Sequence, residues 1–130
     1  MKNLEESNKL QLQFGKENGL IPVAVQDFRQ GTILMVAYVN QEALEHTIRT
    51  GLATFWSRSR EELWVKGLTS GNTLKIEEIL VDCDQDSLVY RVIPTAGGAC
   101  HTKNRSGEFR ESCFYRQINT TDFRLNHLTD

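Results

Sequence analysis

Two apolar stretches rich in β-branched residues, 21–28 and 32–39, stand on either side of the polar link Arg29-Gln30-Gly31. Two such runs joined by a short glycine-containing link predict a β-hairpin. The unbroken apolar run 33–39 is far too short to span a bilayer and reads as a buried strand. Asn40 then predicts a helix cap, with a helix over 41–50 whose Ala43, Leu44, Thr47 and Ile48 share one face. Gly51 supplies its stop. Strands are expected at 53–58, 63–66, 73–83 and 88–93, with a turn at Ser70-Gly71-Asn72 between the middle two, and a last strand at 113–118. Residues 4–14 mix charges with Leu4, Leu10, Leu12 and Phe14 and suit a short helix or arm. The expectation is an α+β fold, a mostly antiparallel sheet with one clear helix.

Composition narrows the setting. A chain of 130 residues fits one compact domain, taken as 1–130 with an N-terminal arm at 1–17. A net charge of −2 gives no general pull toward nucleic acid. The first ten residues are charged and polar, so no secretory signal and no membrane partner are expected, and the setting is cytoplasmic. The cysteines are Cys83, Cys100 and Cys113, an odd number, which favours reduced thiols, inert or metal-bound, over disulfides.

The chemistry concentrates at Asp82-Cys83-Asp84-Gln85-Asp86. On an extended backbone Asp82, Asp84 and Asp86 would project to one side and Cys83 to the other. Three carboxylates on one side call for a hard cation such as Mg²⁺, whereas a thiol suits Zn²⁺. The competing reading is a polar turn with a buried cysteine beneath it. A calcium-binding EF-hand is rejected, because its sixth and twelfth positions would be Ser87 and Ile93 rather than Gly and Glu.

Cys100 and Cys113 sit in Gly97-Gly98-Ala99-Cys100-His101-Thr102 and Ser112-Cys113-Phe114-Tyr115-Arg116. Paired glycines let the backbone fold tightly before Cys100. Three thiolates plus water make an open, catalytic type of zinc centre; three unrelated buried thiols are the alternative. His101 suits a general base or a fourth ligand, although a lone histidine is more often simply structural. A second cluster comprises Trp56-Ser57-Arg58-Ser59-Arg60 and Trp64-Val65-Lys66-Gly67-Leu68-Thr69-Ser70-Gly71. Arginine forks and hydroxyls fit phosphate, and tryptophans can stack on a base; the plainer reading is a solvated strand over core tryptophans.

Together these motifs, with Met35-Val36-Ala37-Tyr38-Val39-Asn40, resemble the phosphoribosyl-AMP cyclohydrolases of histidine biosynthesis, over roughly residues 18 to 118. The resemblance implies a cytoplasmic homodimer that uses Zn²⁺ and Mg²⁺. It implies that Asp82, Asp84 and Asp86 hold Mg²⁺, and that Cys83 is joined at zinc by Cys100 and Cys113 of the other subunit. One departure stands out: twelve residues separate Cys100 from Cys113, against about half as many in the family, and 103–112 forms the extended loop. The implied reaction opens the adenine ring of phosphoribosyl-AMP between N1 and C6. Zinc would help acidify a water, whose proton His101 would take as its oxygen adds to C6. Arg58, Ser59, Arg60, Lys66, Thr69 and Ser70 are the ligands expected for a substrate phosphate. The chain ends about a dozen residues after the last family motif, so the fused pyrophosphohydrolase of some relatives is not expected. A nucleobase deaminase would need His-x-Glu and Pro-Cys-x-x-Cys segments, and neither is present. A non-catalytic zinc-stabilised nucleic-acid or nucleotide-binding module is the remaining alternative.

Overall fold

The computed structural model describes residues 2–128; Met1, Thr129 and Asp130 of the single predicted domain lie outside them. β1 (Ile21–Asp27) and β2 (Ile33–Val39) form the expected antiparallel hairpin. In its turn, Asp27 Oδ1 accepts the N–H groups of Arg29 (2.8 Å) and Gln30 (3.0 Å). β1 alternates cleanly, with Val23 and Val25 fully buried. β2 corrects an expectation. Its unbroken apolar run is not a fully buried strand, because β2 is a sheet edge and leaves Ile33 and Val36 exposed.

α2 (Gln41–Thr50), preceded near the N-terminus by the short α1 (Lys2–Glu6), has the ends its sequence calls for. Asn40 Oδ1 accepts the Ala43 N–H at 2.8 Å, and Gly51, at φ 76°, donates its N–H to Thr47 O. Ala43, Leu44 and Thr47 are buried, but Ile48 is 60% exposed. The packed stripe is narrower than predicted because the helix rests chiefly on one short strand, β3 (Thr54–Ser57). Thr47 is the polar joint of this packing. Its hydroxyl donates to Ala43 O (2.9 Å) and accepts from the Thr54 N–H (3.0 Å) and the Tyr90 hydroxyl (3.4 Å). Burial pushes the Tyr90 phenol up to about 12, against the smaller lowering effect of that hydrogen bond.

β3 pairs with β4 (Glu62–Val65), and β5 (Leu74–Val81) pairs antiparallel with β6 (Leu88–Pro94). The main sheet runs β2-β1-β6-β5. Two antiparallel pairs thus lie side by side, and they meet at a parallel junction between β1 and β6. Val23, Val25, Tyr90 and Val92 from that junction form the centre of the core together with Phe55 and Leu74. The last predicted strand begins later than expected, as β7 (Arg116–Ile118), and pairs with an unforeseen β8 (Leu125–His127).

Candidate active site

The acidic pentapeptide is the turn between β5 and β6, not an extended stretch. Asp82 N–H donates to Ser87 O, Gln85 N–H donates to Asp82 O, each at 3.2 Å, and Gln85 is left-handed at φ 56°. The alternation argument fails here, since it requires strand geometry. The carboxylates converge nonetheless, because the turn curls Asp84 and Asp86 back toward Asp82. One oxygen from each lies within 4.8 Å of the others.

Their electrostatics fit a hard cation. Asp82 Oδ1 accepts the N–H groups of Asp86 (2.9 Å) and Ser87 (3.1 Å), and Oδ2 accepts the Ser87 hydroxyl at 2.6 Å. Burial pushes the Asp82 carboxyl up, but these hydrogen bonds prevail and bring it down to about 2. Lys16 pulls the Asp86 carboxyl down, yet Asp82 and Asp84 outweigh it and hold Asp86 above the usual range. Lys16 Nζ stands 3.1 Å from Asp86 Oδ2 and 3.6 Å from Asp84 Oδ2. An ammonium therefore already stands in for a cation, and the all-oxygen donor set suits Mg²⁺.

Nothing in the sequence pattern marks Gln85, yet it fastens the N-terminal arm to this turn. It is buried, and its Nε2 donates to Leu4 O (3.3 Å) and Lys9 O (3.1 Å). Its Oε1 accepts the Gln11 N–H at 2.7 Å, and its carbonyl accepts the Gln13 N–H at 2.8 Å.

Cys100 is buried and its Sγ lies 2.9 Å from Thr102 Oγ1, and Cys100 and Cys113 are near enough to shift each other's titration. The extended loop folds back as its own hairpin: Cys100 N–H donates to Arg110 O, Arg110 N–H to Thr102 O, and Asn104 N–H to Glu108 O. Its length therefore does not separate the two thiols. Gly98 permits the close approach, since a Cβ there would stand 2.1 Å from Arg110 O. On the far side, Cys113 N–H bonds Leu34 O at 2.8 Å and Ser112 Oγ bonds Ile33 O at 2.6 Å, tying Cys113 to β2.

Burial pushes the Cys100 thiol up, but hydrogen bonds from Thr102 and Cys113 and the charge of Lys66 bring it below the usual thiol range. Burial and the neighbouring Cys100 push Cys113 up to about 11. Cys83 is exposed on the acidic turn, and the three thiols are not gathered within 4.8 Å of one another. Among the described residues, Asp82, Asp84 and Asp86 are the one group of three potential ligands gathered within the chain. Two soft thiols beside a lysine, one already biased toward thiolate, fit part of a zinc centre.

Arg60, Lys66, Thr69, Ser70 and His101 line one cleft of about 350 Å³, with Trp64 beside them. Arg58 and Ser59 are not in its lining. The Arg58 guanidinium lies 4.0 Å over the Tyr38 ring, and Ser59 Oγ lies 3.4 Å from Ser57 Oγ. The turn between β3 and β4 divides the six expected phosphate ligands in this way. Asn72 explains how the rest meet His101. Its buried Oδ1 accepts the Gly97 N–H at 2.8 Å, and a Cβ on Gly67 would stand 2.0 Å from Asn72 O. The Gly67–Gly71 bend is thereby bolted to the Gly97-Gly98 bend that precedes Cys100. In the sequence Asn72 reads only as a turn residue.

The profile of the family described as phosphoribosyl-AMP cyclohydrolase matches residues 35–115. A phosphoribosyl-AMP cyclohydrolase of Desulfatibacillum aliphaticivorans is 49% identical over 109 residues, covering 84% of this chain and 82% of that protein. One from Hyphomonas neptunium is 54% identical over 114 residues, covering 88% and 81%. The histidine biosynthesis bifunctional protein HisIE of Thermus thermophilus is 54% identical over 102 residues, which are 78% of this chain and 44% of that protein.

Proposed function

Because the chain belongs to the phosphoribosyl-AMP cyclohydrolase family, we propose that it opens the adenine ring of phosphoribosyl-AMP by hydrolysis between N1 and C6, a step of histidine biosynthesis. The observation that carries the reading is the single cleft in which Arg60, Lys66, Thr69 and Ser70 meet His101, with the charge of Lys66 felt at both Cys100 and Cys113. The relatives are named as enzymes, which leaves the binding-module alternative without support.

In the proposed reaction the cationic and hydroxyl groups of the cleft hold a phosphate of the substrate and so fix the position of the ring. Zinc, held by Cys100, Cys113 and a Cys83 from a second subunit, would supply Lewis acidity to a water. His101 takes the water's proton on a ring nitrogen, the oxygen bonds to C6, and the N1–C6 bond breaks with proton return to the departing nitrogen. Asp82, Asp84 and Asp86 would hold Mg²⁺. The proposed assembly is a cytoplasmic homodimer. It is supported by the three thiols not being gathered within 4.8 Å in one described chain and by an aliphatic row across the sheet, where Val36 registers with Ala24, Ala24 with Val89, and Val89 with Leu80. Val36 and Leu80 are exposed on that row. No helix among the described residues is long and apolar enough to cross a membrane.

Incubation of the zinc- and magnesium-replete protein with phosphoribosyl-AMP tests the activity, because ring opening changes the ultraviolet absorbance. A static spectrum would overturn it. The cleft geometry adds a finer expectation. Arg60→Ala should raise KM by about tenfold or more, as lost binding that is uniform through the reaction does, with a smaller effect from Arg58→Ala. Equal KM changes in steady-state kinetics would mean that both arginines reach the same phosphate. Wild-type kinetics in both variants would leave them as solvated surface charges.

A further inference from the structure

We propose that Lys16 is an exchangeable counter-charge. The N-terminal arm sets its ammonium on Asp84 and Asp86, and a divalent cation enters the aspartate turn by displacing it. The inference rests on the reading that this turn holds Mg²⁺.

Three observations carry it. First, Lys16 Nζ is within 3.1 Å of Asp86 and 3.6 Å of Asp84, where a bridging cation would also have to sit. Magnesium takes carboxylate oxygens at about 2.0–2.1 Å, so the ammonium and the metal compete for the same oxygens. Second, the arm does not depend on this ion pair for its attachment. Gln85 clamps it through Leu4, Lys9, Gln11 and Gln13, and the first three of these bonds use its buried side chain. Lys16 can leave the carboxylates while the arm stays docked. Third, the exit is open. Lys16 is half-exposed and lines a cavity of about 370 Å³ with Gln13, Leu20, Pro22, Tyr38 and Ser87. A half-exposed ion pair is weak enough to exchange.

The consequence is linkage: whatever the cation gains by replacing Lys16 must appear as a freed lysine, and removing the lysine must tighten the cation. Mn²⁺ binding, followed by electron paramagnetic resonance of the free ion on the otherwise intact protein, measures one side. Lys16→Met should bind Mn²⁺ about three- to tenfold more tightly than wild type, while Lys9→Met, on the same arm but away from the carboxylates, should match wild type. Acylation footprinting by mass spectrometry measures the other side. Saturating Mn²⁺ should raise labelling of Lys16 and leave Lys9 unchanged.

Each outcome points one way. If Asp84→Asn weakens Mn²⁺ binding but Lys16→Met leaves it as in wild type, Lys16 is not the competitor and this inference fails alone. Unchanged Lys16 labelling with Mn²⁺ bound overturns it as well. Should Asp84→Asn have no effect on Mn²⁺ binding, the turn is not the cation site, and both readings fall together.

Discussion

Replacing His101 with alanine is expected to lower turnover by roughly two to four orders of magnitude while zinc content stays that of wild type. The size follows from what the thiolates do to the metal. Three negative sulfurs around the proposed zinc would give it much of the charge it would otherwise withdraw from a water, so they would acidify that water less than neutral imidazoles would. A separate base then carries more of the barrier. His101 is well placed to be that base, since it follows Cys100 in the chain, is exposed, and lines the same cleft as Arg60, Lys66, Thr69 and Ser70. Steady-state kinetics with elemental analysis of the same preparation decides the matter. Loss of zinc from the variant would make His101 a ligand, and unaltered turnover would remove it from the chemistry.

What could be read from the chain in advance follows the range of the forces involved. The ends of α2 were legible because a cap is a contact over three or four residues, and Asn40 and Gly51 carry theirs within the sequence window. The β1–β2 hairpin was legible for the same reason. The aspartate cluster is legible although its geometry is not: alternation on a strand and curling in a turn both gather the carboxylates, and the left-handed Gln85 with the Gln85 N–H bond to Asp82 O marks the turn. β8 left no signal, because all its residues are exposed and no burial rhythm marks them. The least legible features are the long-range ones. Gln85 reaches Gln11 across 74 positions, and Asn72 reaches Gly97 across 25. Each of these side chains satisfies a backbone group that its own neighbourhood gives no hint of, so periodicity and local propensity are silent about both. The candidate site depends on such bonds: Asn72 brings the phosphate-type cleft to His101, and Gln85 brings Lys16 to the aspartates.

Cys83→Ala and Cys100→Ala, each inactive alone, are expected to recover activity when mixed. Cys100 and Cys113 meet within one chain, while Cys83 lies on the β5–β6 turn outside that pair. In the proposed zinc centre the third thiolate comes from a second subunit, and each dimer then holds two composite sites. In either homodimer of a single variant every site lacks one thiolate. In a mixed dimer both defects fall in one site, and the other site keeps all three cysteines. Random exchange gives about half mixed dimers, each with one good site of two, so activity should rise to roughly a quarter of wild type under two-fold symmetry. Zinc content should rise in step, which separates a rebuilt site from a mere change in folding yield. Were each zinc centre built within a single chain, every site in the mixture would still carry a defect. Verified subunit exchange with no recovery of activity or zinc would therefore rule out the shared centre.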